Sequence, residues 1–176
     1  MSSSSTSYLL KPVNVTEHLE IINKYESESY PEDEAATYEK LKYRLENANS
    51  VFRGYFTSST CSDDEEKLIG FVCGTKTQNK ILTHDTMSVH DPSPNARTLC
   101  IHSVVIQQAY RKKGLGLAML KSYLQYLKDE NLCDKILLLS KSHLIHFYES
   151  AGFILNGESN VVHGQEKWYE LEYKMN

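Results

Sequence analysis

The stretch Thr98-Leu99-Cys100-Ile101-His102-Ser103-Val104-Val105-Ile106, followed after Gln107 to Tyr110 by Arg111-Lys112-Lys113-Gly114-Leu115-Gly116-Leu117, decides the reading of this chain. The first nine residues predict a strand, with His102 interrupting an apolar set of Leu99, Ile101, Val104 and Ile106. Gly114-Leu115-Gly116 opens a helix running to about Glu130, whose stripe carries Leu117, Leu120, Tyr123, Leu124 and Leu127. Two glycines between a strand and a helix let the backbone bend tightly and turn successive N–H groups toward an anion. The helix dipole and the neighbouring lysines add positive charge there. The spacing is neither G-x-x-x-x-G-K-[ST] nor G-x-G-x-x-G, which excludes a nucleotide triphosphatase loop and a Rossmann loop.

Working outward, Lys135–Leu139 reads as a compact buried strand, His143–Ser150 as a short helix ending at Gly152, and Phe153–Leu155 and Trp168–Tyr173 as two final strands. Upstream, Lys67–Thr77 reads as a strand antiparallel to Val51–Phe56 across a polar hairpin loop, Thr57–Glu66, whose carboxylates Asp63 to Glu66 form a solvated turn. Earlier still come a strand at Tyr8–Pro12, a helix capped by Thr16 with Leu19, Ile22 and Tyr25 inward, and a second helix over Glu34–Asn47. Pro31 separates the two helices. Residues 1–6 are expected to be frayed, and Lys80–Asn95 to be a long surface loop. The order β-α-α-β-β-β-α-β-α-β-β predicts an α/β fold: a mixed, mostly antiparallel sheet flanked by helices, as one domain over residues 1–176.

Composition limits the partners. Of 176 residues, 40% are hydrophobic and 24% charged, enough to build a core and to exclude wholesale disorder. The 19 Lys plus Arg against 23 Asp plus Glu leave a net charge of −4, which argues against a nucleic-acid or anionic-membrane partner. No apolar run approaches the roughly twenty residues that span a bilayer, and the Ser-rich start lacks the features of a secretory signal. Cys61, Cys73, Cys100 and Cys133 show no paired spacing and read as reduced cytoplasmic thiols. His143 and His146 share a helix face without a third ligand, so no metal is expected.

The strand with its histidine, Arg111-x-x-Gly114-x-Gly116, and the later Phe147-Tyr148-Glu149-Ser150-Ala151-Gly152-Phe153 together resemble the GNAT superfamily of acetyl-CoA-dependent N-acetyltransferases. Tyr30 to Ala36, Leu68 to Gly74 and Leu99 to Ile106 resemble more narrowly the arylalkylamine (serotonin) N-acetyltransferases and their fungal polyamine-acetylating relatives. The resemblance implies that Val104, Val105 and Ile106 hold the pantetheine arm and thioester. Arg111, Lys112, Lys113, Gly114, Leu115, Gly116 and Leu117 would then cradle the pyrophosphate. It also implies a small-molecule primary amine as the second substrate, a monomer, and the Val104 amide as partner of the thioester oxygen.

Amine attack needs a neutral nitrogen, so a proton acceptor is required. Where animal relatives carry two histidines, this chain has Cys100 and His102. An ordinary thiol, with a pKa near 8.5, is a poor substitute base. His102 reads either as that acceptor or as a strand histidine bonded to the backbone. Glu34 reads either as the acceptor, as insect relatives suggest, or as an acidic residue in the first turn of a helix. Tyr148 matches the residue that protonates the departing thiolate, with packing in the short helix as the alternative. Tyr30, Pro31 and Trp168 are candidates for the amine-pocket wall, Trp168 equally for the core. The remaining functional alternatives are a GNAT acting on a protein or peptide amine, and a catalytically weakened acyl-CoA-binding module.

Overall fold

The computed structural model describes residues 6–58 and 65–176. Most of residues 1–6, where fraying is expected, and most of the Thr57–Glu66 segment, including Cys61, Asp63 and Asp64, lie outside the described residues. Seven strands, β1 (Ser7–Pro12), β2 (Arg53–Ser58), β3 (Leu68–Thr77), β4 (Thr98–Ile106), β5 (Lys135–Ser140), β6 (Ile154–Glu158) and β7 (Tyr169–Lys174), form one sheet in the order β1-β2-β3-β4-β5-β7-β6. Only β4 and β5 pair in parallel, which makes the sheet mixed and mostly antiparallel as expected.

Helices cover both faces. On one, α4 (Leu115–Asp129) buries Met119, Leu120, Tyr123, Leu124 and Leu127 against Ile69, Val72, Leu99, Ile101, Ile136 and Leu138. Each such side chain contributes about 1.5–3 kcal/mol on leaving water. On the other, α1 (Val15–Ser29) and α2 (Tyr38–Asn47) bury Leu19, Ile22, Tyr25, Leu41 and Leu45 against Phe71, Cys73 and Val105. A short α5 (Ile145–Ser150) brings Tyr148 into the first of these clusters.

Three local expectations need correction. The cap of α1 is Asn14, whose Oδ1 accepts from the N–H groups of Thr16 (2.8 Å) and Glu17 (3.3 Å); Thr16 lies inside the helix. The second helix starts at Tyr38 behind a Thr37 cap, not at Glu34. Residues before it form a turn closed by the Glu34 and Ala35 N–H groups on the Pro31 carbonyl, both at 2.9 Å. Glu34 is therefore not a first-turn helix residue. The Lys80–Asn95 segment is more than surface loop. It carries α3 (His84–Ser88), fixed by a reciprocal Thr83–Thr86 capping box, and it buries Leu82, Thr86 and His90.

One irregularity positions the site. Cys73 faces Ser103 while Gly74 faces Ile101, so His102 is an extra residue on β4, a β-bulge. A Cβ on Gly74 would lie 2.4 Å from the Cys100 carbonyl oxygen, so this close approach needs glycine. Pairing of β4 with β5 ends at Ile101 and Leu138, and beyond that point the two strands diverge.

Candidate active site

Two cavities open where β4 and β5 part, and Tyr30, Ile101, His102 and Leu139 line both. The first, a cleft of about 550 Å³, runs along Val104, Val105 and Ile106 to Arg111, Lys112, Gly114, Leu115, Gly116 and Leu117, with Phe147 and Tyr148 opposite. Gly114 is the N-cap of α4 at φ +75°, and Lys112 is also left-handed at φ +59°. The first backbone bond of α4 is Ala118 N–H to Gly114 C=O, so the preceding amides have no acceptor within the helix. This is the geometry of an anion cradle. Lys113 does not line the cleft; its ammonium sits 5.5 Å from the Tyr110 ring centre. Arg111 lines it but is also engaged, donating from Nε to the Ile106 carbonyl (2.8 Å) and from Nη2 to Ser29 Oγ (2.9 Å).

The second cavity, about 420 Å³, lies under Glu34, Ala35 and Ala36 on one side and His84, Met87, Ser88 and Val89 on the other. Its walls include Tyr43 and Trp168. Trp168 donates from its indole N–H to the His163 carbonyl, and the Lys141 ammonium sits over its ring. Pro31 lines neither cavity: it is exposed, and its carbonyl closes the turn described above.

Among the described residues, four buried polar atoms of side chains lining this second cavity have no partner: Glu26 Oε2, Glu34 Oε2, Arg44 Nη1 and His102 Nδ1. For His102 the tautomer follows from its neighbours. Thr75 Oγ1 donates to the Thr86 carbonyl (3.0 Å), so it accepts from His102 Nε2–H at 2.8 Å, leaving a lone pair on Nδ1. Burial, with the positive charges of Arg44 and Lys40, holds the imidazole well below its ordinary value, so it is neutral at pH 7. The backbone-bonded alternative for His102 does not apply, because its ring nitrogen goes to a threonine side chain.

Glu34 is buried; its Oε1 accepts from the Lys141 ammonium at 2.8 Å, and Glu166 shares that ammonium at 3.1 Å. Although burial opposes it, these ion pairs hold Lys141 above its ordinary value. Glu26 and Arg44 escaped the sequence reading. Glu26 Oε1 accepts from the Ala36 N–H (2.9 Å) and the Ser103 hydroxyl (3.1 Å), and burial raises its carboxyl above the usual range. Its signal was available, since Glu26 continues the Leu19, Ile22 stripe of buried positions on α1.

Cys100 lines neither cavity; it is fully buried against Leu82 and Leu137, and burial pushes its thiol up to about 11. It cannot act as a base at neutral pH. Tyr148 is buried, and desolvation alone raises its phenol, so it remains a protonated donor. Among the described residues, no three His, Cys, Asp or Glu side chains converge to hold a metal ion. No helix among them is long and apolar enough to cross a membrane.

An anion cradle at a strand–helix turn, a bulged central strand and a parting of β4 from β5 together make a cleft suited to a phosphate-bearing ligand with an extended arm. The profile of the acetyltransferase (GNAT) family matches residues 16–153, and the chain belongs to that family. It is 28% identical over 109 residues to serotonin N-acetyltransferase of Mesocricetus auratus, a match covering 62% of this chain and 52% of that protein. The chain thus spans about half the length of the serotonin N-acetyltransferases it matches. The loading GNATL domain of CurA from Lyngbya majuscula superposes with a TM-score of 0.76 at 14% identity, over 96% of this chain and 98% of that one. Arabidopsis thaliana NAA60, solved in complex with acetyl-CoA, superposes at 0.68 with 17% identity over 96% and 99%. At these identities the two structures support the fold.

Proposed function

We propose that this acetyltransferase moves the acetyl group of acetyl-CoA to the primary amine of a small arylalkylamine, diamine or polyamine in the cytoplasm, acting as a monomer. The single observation that carries the small-amine reading is the roof of the second cavity. Residues 34–36 on one side and His84, Met87, Ser88 and Val89 on the other flank it, a width that suits a small amine better than a protein segment. Its aromatic walls accept an aryl or alkyl body, and the free oxygens of Glu26 and Glu34 suit a cationic amine.

The first cavity fits acetyl-CoA: the amides at the start of α4 suit a pyrophosphate, and the β4 backbone beyond Ile101, where pairing with β5 has ended, suits an amide-bearing arm. Arg111, Lys112 and Gly114 to Leu117 would hold the phosphates, with Val104 to Ile106 along the arm. When bound, acetyl-CoA supplies an activated acyl carbon and a thiolate leaving group. His102 accepts the proton that the nitrogen sheds as the C–N bond forms, since that proton is far more acidic than one on a free alkylammonium. A neutral imidazole with a buried lone pair suits that task and passes the proton on toward solvent. Glu34, bound to Lys141, favours the entering ammonium, which sheds its first proton to water before the neutral nitrogen attacks. Tyr148 returns a proton to sulfur as the C–S bond breaks.

A thiol-release assay with acetyl-CoA against tryptamine-type amines, diamines, polyamines and peptide N-termini tests this reading. Turnover of the small amines alone is expected. Turnover of peptides alone would transfer the function to a protein amine, and acetyl-CoA binding without any turnover would leave an acyl-CoA-binding module.

A further inference from the structure

The Val104 N–H does not point to β3. It donates to the Tyr30 hydroxyl oxygen at 3.3 Å. The same hydroxyl donates to the Val104 carbonyl at 3.5 Å, the outer limit of a hydrogen bond, a weak contact that a nearer acceptor replaces. A phenol that accepts through its oxygen keeps its own proton to give. Tyr30 lines both cavities, so its ring stands between the cleft suited to the thioester and the space suited to the amine.

Resting on the acetyl-transfer reading, we propose that the Tyr30 hydroxyl, polarised by the Val104 N–H, is the hydrogen-bond donor to the thioester carbonyl oxygen, so that the amide acts through Tyr30 and not directly. As nitrogen bonds to the acyl carbon, the carbonyl electron pair moves onto oxygen, and the Tyr30 O–H stabilises that charge without giving up its proton. The pair returns as the C–S bond breaks; nitrogen has then lost one proton and sulfur has gained one, so Tyr30 ends as it began.

The surroundings of Tyr30 suit a preorganised donor. Its own N–H donates to the Glu26 carbonyl at 3.2 Å, ending α1. Next to it, Ser29 Oγ donates to the Tyr25 carbonyl and accepts from Arg111. The arginine that heads the phosphate loop therefore braces the helix end that carries Tyr30. Burial, with Tyr148 and Glu26 nearby, holds the phenol well above its ordinary value, which keeps it protonated. Fixed donors of this kind need no reorganisation during the reaction, and losing one costs on the order of 100- to 1,000-fold in turnover.

Isotope-edited infrared spectra of carbonyl-¹³C acetyl-CoA bound to the protein read the contact without turnover. Tyr30→Phe should move the thioester carbonyl band to higher frequency, leave acetyl-CoA affinity within about threefold and lower kcat on the order of 100-fold. Site-specific 3-fluorotyrosine at position 30 keeps the ring and strengthens the donor, so it should move the band to lower frequency. A band that stays in place in both variants assigns the thioester oxygen to the Val104 amide alone and overturns the proposal. If the band shifts as expected but the wild-type protein acetylates no amine, the transfer reading fails and the Tyr30 contact stands.

Discussion

The two cavities share four residues but are made of different material. The cleft beside α4 offers main-chain groups: the amides at the helix start and the edge of β4 beyond Ile101, where pairing with β5 has ended. The roofed cavity offers side chains, with Glu26 from α1, Glu34 from the turn after it, Arg44 from α2 and His102 from the bulge. A backbone site tolerates most substitutions, because every residue except proline supplies an N–H, the left-handed Gly114 being the main restriction. A site of convergent side chains changes its chemistry with each one. Such a division lets a chain hold a common acetyl donor fixed while its choice of amine drifts.

The difference can be broken most severely at Gly116. A Cβ there would meet the Phe147 ring at 3.5 Å, an ordinary contact, so Gly116→Ala should retain acetyl-CoA affinity within about threefold. Gly116→Glu brings a carboxylate to the phosphate cradle and should weaken binding on the order of 100-fold or more by calorimetry. Equal affinities in the two variants would mean that the cleft is not the cofactor site. Tyr148→Phe comes next. It should lower turnover about tenfold or more with acetyl-CoA affinity unchanged, given the usual size of acid catalysis. A fully active, folded variant would make Tyr148 a packing residue.

His102→Gln sharpens the comparison on the side-chain side. It should cut kcat/KM about tenfold at pH 7, with partial recovery in alkaline buffer, where hydroxide takes the proton that His102 would accept. A silent His102→Gln beside a Glu34→Gln that shows alkaline rescue would move the base to the turn after Pro31. Stability gives an independent readout. His102 is held below its unfolded value of about 6.5, so its contribution is present above that pH and is lost as pH falls through it. Urea melts of His102→Gln should lose less stability between pH 7.5 and pH 5 than those of the wild type.

The smallest effect on activity belongs to Cys100→Ser, expected to stay within about twofold because the thiol is protonated and faces Leu82 and Leu137. Its stability should fall by about 1 kcal/mol, since a hydroxyl costs more than a thiol to bury against Leu82 and Leu137, even beside Thr86. A large loss of turnover with an intact fold would place Cys100 in the proton path.

How far the sequence reached follows the same division. Strand β4 falls at Thr98–Ile106 and α4 within a residue of expectation, because strong apolar periodicity and two glycines leave few options. The start of α2 was misplaced because acidic residues before a helix look like its first turn. The Thr37 cap and the Glu26 contact to Ala36 decide otherwise. Helix α3 was hidden in a polar segment, where only Thr83 and Thr86 at capping spacing signalled it. Thr75 and Lys141 carried no local signal at all. Their contacts to His102 and Glu34 exist only once β3 meets β4 and β5 comes under the turn after α1.

The parting of β4 from β5 has a further consequence. It leaves, in the middle of the sheet, a strand border of the kind that proteins normally keep at the periphery and protect with charge or proline. An extended arm bearing amides fills such a border as an added strand. At a ligand concentration 100 times its Kd, that occupancy stabilises the fold by about 2.7 kcal/mol. The melting temperature of this chain should therefore track acetyl-CoA supply. The empty border is also where an extended stretch of another chain would most readily pair, so depletion of the ligand should raise both thermal lability and the tendency to self-associate on heating.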